Sequence, residues 1–366
     1  MERMLMEKAA QTQSGISGSL ELLPVCNMNC AMCYVRLSYD EMMRQGGLRT
    51  LDEWLHIARQ MREAGVLFLL LTGGEPLLYP DFKELYLELK KMGMILTINT
   101  NGTLIDEHMA EFFGKNKPRR INITLYGTSE KTYEELCHYP GGYEKVLKGI
   151  RLLKEQNVDV KLAGSLTKQN KEEILTFVEV GKRLGCPVRI DTYMMPAVRE
   201  RQNSYDFQAR LAPKEAAKIR MYALKAEMGE ELFKRYMEEM ILKVEYMTRV
   251  EDNPSHMNCF AGRSSFTINW KGEMRPCVIL NEPSISVMKV GFQEAWKYMT
   301  RETKKIVLNP KCSTCKLRPL CRTCAASALM ETGDYTGIPD YMCQYAEESF
   351  RLLKIEYDKI DKRGED

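Results

Sequence analysis

From Leu20 onward the chain alternates two hydrophobic rhythms. Short apolar runs of strand length separate stretches in which apolar residues return every three or four positions. Residues 20–24 read as a first strand, and 51–64 as a helix with Leu51, Trp54, Leu55, Ala58 and Met61 on one face. The run 66–71 is continuously apolar, as a strand buried on both faces is. Helix 81–92, strand 94–99, helix 104–113, strand 120–125, helix 143–156, strand 158–163, helix 171–184 and strand 188–191 follow, with Gly65, Gly93 and Gly185 closing helices. Repeated βα units of this length predict an α/β fold with parallel strands and right-handed crossovers.

The rhythm changes at both ends. Residues 1–19 are polar with Gly and Ser, and read as a flexible lead. From Pro213 to 248 the text is helix-forming, with a stripe of Met221, Leu224, Met228, Leu232, Tyr236, Met240 and Leu242 that suits core packing. Near residue 253 a cysteine-rich stretch begins, and 264–270 and 273–277 flank Lys271-Gly272 as a hairpin would. These shifts divide the chain into a lead (1–19), a barrel-type domain (20–212), a helical bridge (213–252) and a cysteine-rich domain (253–366).

Charge adds little. A net charge of +3 with acids and bases interspersed gives no electrostatic reason to expect nucleic acid or a membrane surface as partner. Eighteen consecutive apolar residues, enough for a transmembrane helix, are not found, and residues 1–8 lack a signal core, so a cytoplasmic protein is expected.

Cysteine changes the picture. The chain has 12, high for a reducing compartment unless metal ligation accounts for them. Cys137 and Cys186 stand alone and read as small buried apolar residues. Cys26, Cys30 and Cys33 form C-x3-C-x2-C just past the first expected strand, where α/β sheets hold ligands. Three thiolates leave one coordination position open, which marks chemistry rather than scaffolding. Reduced structural thiols or a zinc knuckle are the alternatives on spacing. Cys312, Cys315, Cys321 and Cys324 could make a single zinc site of four thiolates, though zinc would leave Cys259, Cys277 and Cys343 unexplained.

The segment 26–33, with Thr72-Gly73-Gly74-Glu75-Pro76 one βα unit later, resembles the signature of the radical S-adenosylmethionine (SAM) enzymes. The resemblance implies a partial (β/α)6 barrel, open on one side. It implies that Cys26, Cys30 and Cys33 hold a [4Fe–4S] cluster whose fourth iron is chelated by SAM. Reductive cleavage of SAM then yields a 5′-deoxyadenosyl radical that removes a hydrogen atom from substrate, the cofactor supplying the hard step. Met32, a mild departure from the usual aromatic residue, and Tyr34 become candidates for adenine contact. Gly73, Gly74 and Glu75 would receive the SAM amino group, and Asn99, Thr124 and Lys161 its ribose and carboxylate.

The C-terminal cysteines are similar to the SPASM extension of that family: Cys259, then Gly272-x4-Cys277, then C-x2-C-x5-C, then Cys343. One departure is the two-residue gap between Cys321 and Cys324. The resemblance implies two auxiliary [4Fe–4S] clusters with crossed ligation, the first on Cys259, Cys277 and Cys324, the second on Cys312, Cys315, Cys321 and Cys343. The first set is one ligand short, leaving an open iron for substrate or completion by Asp252, His256 or water.

SPASM enzymes mostly modify peptides, so a peptide crosslink such as a thioether, or an epimerisation, is the expected reaction, and a small-molecule oxidoreductase the alternative. Formylglycine formation is disfavoured: the Asp expected after Cys277 is Val278, which cannot accept a proton. Only 19 residues precede the first expected strand, so an N-terminal peptide-recognition domain is not expected. Either a separate recognition protein delivers the peptide, or it binds the barrel directly, or the substrate is small. An electron donor such as flavodoxin or ferredoxin is the other expected partner. Tyr126, Tyr193 and Arg263 are candidate acid–base groups, with structural roles as the alternative.

Overall fold

The first strand, β1 (Ser17–Glu21), begins earlier than its apolar run suggests. Ser17, Gly18 and Ser19 have poor strand propensity, yet Gly18 is what the position requires. A Cβ there would lie 2.5 Å from the Phe266 ring and 3.2 Å from Leu69. The apolar residues Leu22 and Leu23 follow the strand and are buried below it. In this computed structural model residues 2–195, 199–201, 209–246, 257, 259–321 and 323–361 are described.

Five parallel strands extend the sheet from β1: β2 (Phe68–Thr72), β3 (Ile95–Thr100), β4 (Arg120–Leu125), β5 (Val160–Ser165) and β6 (Val188–Asp191). The expected β4 and β6 coincide with these, and the others shift by one to three residues. Helices Leu51–Glu63, Phe82–Lys91, Glu107–Lys115, Gly142–Glu155 and Ile174–Leu184 cover the outer face. The first of them starts where it does because Thr50 and Glu53 form a reciprocal capping box. The outward row is apolar and sealed: Leu69, Leu71, Leu96, Ile98, Ile121, Ile123 and Leu162 are all buried under the helices with Trp54, Tyr86 and Phe113. The inward row is largely polar. Asn99, Asn122 and Lys161 stand side by side on β3, β4 and β5. Even the run 66–71 alternates in burial, because only one of its faces meets helices.

On the other side of β1 the sheet continues. β7 (Ser265–Ile268) pairs with β1 in parallel, and β8 (Glu273–Arg275) and β9 (Ile285–Ser286) follow antiparallel. The order is β6-β5-β4-β3-β2-β1-β7-β8-β9. The expected hairpin is therefore also an extension of the barrel sheet. Its loop is residues 269–272, with Gly272 at φ +77° making the turn.

Two expectations are corrected. The lead is not flexible: Glu2–Thr12 is a helix that buries Met6, Ala9 and Ala10, and its Met6 carbonyl accepts from the buried Ser264 hydroxyl at 3.1 Å. Nor does the helical segment 213–248 bury its whole stripe. Gly229 breaks it into Pro213–Met228 and Glu230–Tyr246, and the break resets the phase of the apolar stripe. Phe233, Met237 and Val244 face inward after it, while Leu232 and Leu242 are exposed. Both helices pack on the long C-terminal helix Asp340–Asp361. Among the described residues no helix is long and apolar enough to cross a membrane.

The β1–β7 seam is testable at Gly18. Gly18→Ala overpacks the seam against Phe266 and is expected to lower the unfolding free energy by about 1–3 kcal/mol. Urea midpoints of variant and wild type measure it; no shift would mean that Phe266 does not close on β1.

Candidate active site

Backbone geometry places the cysteine loop. After β1 the chain runs along β2, with Leu22 N–H donating to the Thr72 carbonyl at 2.9 Å, Gly74 N–H to Leu23 at 2.7 Å and Glu75 N–H to Val25 at 3.0 Å. A Cβ on Gly73 would strike the Leu23 carbonyl, and one on Gly74 the Val25 carbonyl. The two glycines thus let one backbone lie against another. The far side of the loop is fixed by Asn29 N–H to the Cys137 carbonyl at 3.0 Å and Ala31 N–H to Leu136 at 2.9 Å.

Glu75 ties the two motifs together. It is fully buried, and its carboxylate accepts from Leu77 N–H (3.1 Å), the Thr100 hydroxyl (2.7 Å) and Asn101 N–H (2.8 Å). Asn101 passes the connection on. Its Nδ2 donates to Asn27 Oδ1 at 2.9 Å and reaches toward Cys26 Sγ at 3.7 Å. Thr103 closes the circuit, donating to Asn101 Oδ1 at 2.6 Å and accepting from Asn27 Nδ2 at 2.9 Å. Asn27, Asn101 and Thr103 were not marked as site residues by sequence. For Asn101 and Thr103 the signal is the turn text Asn-Thr-Asn-Gly-Thr, which reads equally well as a plain loop.

A cavity of about 530 Å³ opens at the C-terminal ends of the strands. Cys30, Met32, Cys33, Tyr34, Gly73, Gly74, Asn99 and Thr124 line it, as does Tyr126. Glu75 and Lys161 are not in the wall. The Glu75 carboxylate is turned to Thr100 and Asn101, and Lys161 lies on the barrel's inner face, where burial and then the nearby Arg189 and Arg120 charges disfavour its ammonium. Sequence reading missed Arg189 and Asp191, an ion pair at 3.2 Å at the end of β6, and Met194, Met195 and Ile279, which close the wall from the C-terminal side. Of the three acid–base candidates, Tyr126 and Tyr193 line the cavity. Arg263 lies instead in a separate hollow with Arg3, Glu7 and Phe260.

Burial pushes the Cys26 thiol up to about 12 and lifts Cys33, and both feel the neighbouring cysteines. Cys30 is raised first by a hydrogen bond with Cys137, then by burial. Cys137 and Cys186 are both buried, but Cys137 is thereby a neighbour of the site. Burial raises the Tyr34 phenol to about 12 and Tyr126 and Tyr193 further, so these rings stand neutral.

The remaining thiols assemble in two groups. Cys259 and Cys277 are raised by burial and then feel Cys324. Burial raises Cys343 to about 11, and it feels Cys321, Cys312 and Cys315. Cys324 therefore sits with Cys259 and Cys277, and Cys343 takes its place beside the other three. Asp252 and His256 lie outside the described residues.

The donor set suits iron–sulfur clusters. Backbone N–H groups point at sulfur in the three places: Met28 to Cys26 and Leu280 to Cys277 at 3.4 Å, Arg36 to Cys33 at 3.3 Å, and Thr323 to Cys321 at 3.4 Å. Such bonds stabilise thiolate and tune cluster potential. Among the described residues no three Cys, His, Asp or Glu side chains converge tightly enough for a single ion.

The sequence profile of the radical SAM superfamily matches residues 20–194. A probable GTP 3′,8-cyclase of Metallosphaera sedula is 30% identical over 275 residues, 73% of this chain and 82% of that protein. The chain belongs to the radical SAM superfamily. That membership implies SAM and a [4Fe–4S] cluster as cofactors. An AdoMet-dependent heme synthase of Methanosarcina barkeri is 25% identical over 338 residues, 89% of this chain and 95% of that protein. The fold is similar to that of Streptococcus suis SuiB, solved with S-adenosylmethionine bound, at a TM-score of 0.69 and 18% identity over 90% of this chain and 77% of that one. SuiB has also been solved with its precursor peptide SuiA.

Glu75 gives this radical SAM barrel a pH signature. Burial pushes its carboxyl from 4.5 up to about 7, against the three hydrogen bonds it accepts. Between those values the folded chain holds a proton that the unfolded chain has released, so stability falls as pH rises through the window. The full effect is on the order of 3 kcal/mol. Glu75→Gln is expected to lose that slope, so that the wild type's unfolding free energy relative to the variant declines across the window. Urea unfolding of the metal-free proteins at pH values bracketing it checks this; parallel pH profiles would count against the buried proton.

Proposed function

We propose that this radical SAM enzyme abstracts a hydrogen atom from a peptide and so begins a post-translational modification, a crosslink such as a thioether or an epimerisation. One observation carries the reading: the cavity beside Cys30 and Cys33 is closed by Ile279, two residues past Cys277. A substrate seated there would meet the SAM-cleaving and auxiliary sites together.

In this reading Cys26, Cys30 and Cys33 hold the SAM cluster, which supplies reductive cleavage of SAM to methionine and a 5′-deoxyadenosyl radical. Gly73 and Gly74 offer backbone to the SAM amino group, with Glu75 holding their loop in place. Met32 and Tyr34 flank the adenine, and Asn99 and Thr124 face the ribose and carboxylate, with Lys161 behind them. Cys259, Cys277 and Cys324 hold one auxiliary [4Fe–4S] cluster, and Cys312, Cys315, Cys321 and Cys343 the other. The barrel (20–212) carries the radical chemistry, the bridge (213–252) and the cysteine-rich portion (253–366) the auxiliary centres. The peptide bound to SuiB supports this substrate class. A flavodoxin or ferredoxin would supply the electron, and a separate recognition protein could present the peptide.

A second reading, a small-molecule radical SAM oxidoreductase, is favoured by the relation to an AdoMet-dependent heme synthase over 95% of that protein's length.

Anaerobic reconstitution tests the cofactor set first. Three [4Fe–4S] clusters give about twelve irons per chain, falling to about eight when Cys26, Cys30 and Cys33 are replaced by Ala. Wild type with dithionite and SAM is expected to release 5′-deoxyadenosine, and the triple variant none. Deuterium passing into 5′-deoxyadenosine from labelled peptides supports the peptide reading. Transfer only from labelled small molecules would replace it with the second, and about four irons with zinc in the remainder would remove the auxiliary clusters.

A further inference from the structure

Residues 199–201 join three parts of the molecule that the sequence keeps far apart. The Arg199 Nη atoms donate to both Glu21 carboxylate oxygens at 2.5 and 2.6 Å, and Nη1 also donates to the Val278 carbonyl at 2.8 Å. The Arg199 guanidinium carbon lies 5.8 Å from the centre of the Tyr34 ring. Two residues on, Arg201 N–H donates to the Tyr34 carbonyl at 3.2 Å, and its Nη1 to the Cys30 carbonyl at 3.0 Å. The cysteine loop, the end of β1 and the loop after Cys277 are thus held by one short segment.

The two arginines differ electrostatically. Arg199 stands between two carboxylates, in a bidentate pair with Glu21, the side chains 1% and 3% exposed, and 3.5 Å from Glu200, so its charge is taken up within that group. Among the described residues Arg201 bonds a carbonyl, which is neutral, and an arginine stays cationic in a protein. Its charge therefore acts as a field source on the Cys30–Cys33 turn.

We propose that Arg201 is a positioning residue for the reductive step: it pins the Cys30 carbonyl and keeps a positive charge beside the turn, easing the entry of one electron into the iron–sulfur group those thiols hold. The inference rests on the reading of Cys26, Cys30 and Cys33 as cluster ligands. The electron comes from an external low-potential donor and adds one negative charge, with no bond made or broken. A nearby cation stabilises the reduced form by Coulomb attraction, and in a partly buried setting that is enough for about a tenfold change in the ratio of reduced to oxidised cluster. For a one-electron couple that is about 59 mV.

The test uses the full chain, reconstituted anaerobically and poised with redox mediators. The signal followed by electron paramagnetic resonance is the one that SAM perturbs and that disappears in the Cys26/Cys30/Cys33→Ala variant. Arg201→Gln is expected to keep its iron and show a reduced-to-oxidised ratio about tenfold below wild type at the same poise. Arg201→Lys, which keeps the charge, is expected to stay close to wild type. An unchanged ratio in Arg201→Gln overturns the proposal, as does an equal fall in both variants, which would leave only a backbone contact. Should Arg201→Gln fail to assemble the cluster, Arg201→Lys decides: a wild-type ratio supports the proposal and a fall of about tenfold overturns it. A wild type with no SAM-perturbed signal would defeat the cysteine assignment itself, and the inference with it.

Discussion

The close approach of residues 22–25 to 72–75 governs the rest of the site. Two glycines allow it, and three backbone hydrogen bonds fix it. It carries the chain from the end of β1 across the mouth of β2, so Cys26 emerges beside the β3 turn rather than out in solvent. Glu75 then locks the arrangement from below, because a buried carboxylate that accepts from Thr100, Leu77 and Asn101 leaves those residues little freedom. Side chains larger than hydrogen at 73 or 74 would push the two backbones apart and open the loop that carries all three thiols.

The second constraint is the continuation of the sheet through β7. Because β7 pairs with β1, the C-terminal hairpin is anchored to the barrel's first strand. Its exit after β8 brings Ile279, two residues past Cys277, into the cavity wall. Apolar packing completes the join, with Met195 of the barrel's last loop packed on Leu280, Ile306, Ala325 and Ala326. An auxiliary centre held by Cys259, Cys277 and Cys324, as proposed, would share a wall with the cavity.

What the sequence disclosed follows the same physics. Strands β4 and β6 were legible because their alternation and flanks are strong, whereas β1 was misplaced because Ser-Gly-Ser looks like loop. The need for Gly18 arises only from Phe266, nearly 250 residues away. The methionine stripe failed at Gly229, since a helical phase persists only as long as the helix. The division of the C-terminal cysteines into two sets came from family resemblance; spacing alone pointed equally to zinc. Asn27, Asn101 and Arg201 in loops, and Arg189 near the end of β6, were invisible because scattered polar residues acquire meaning only when a fold brings them together.

Around the cavity Arg199, Arg210 and Glu331 are largely buried charges held in ion pairs, and the tyrosines remain neutral. Glu331 accepts from Arg210 at 2.9 Å, and Arg210 in turn lies over the Tyr341 ring and near Tyr193. Tyr193 donates toward Glu331 at 3.4 Å and feels Cys324, and with burial both influences oppose loss of its proton. It therefore serves as a neutral wall between the cavity and the auxiliary thiols, rigid and unable to act as a base. Radical chemistry suits such a wall, since an uncharged, close-packed partition excludes water and offers a transient radical little to attack. Arg201, by contrast, bonds the Cys30 carbonyl, at the turn where the proposed reductive step would add an electron.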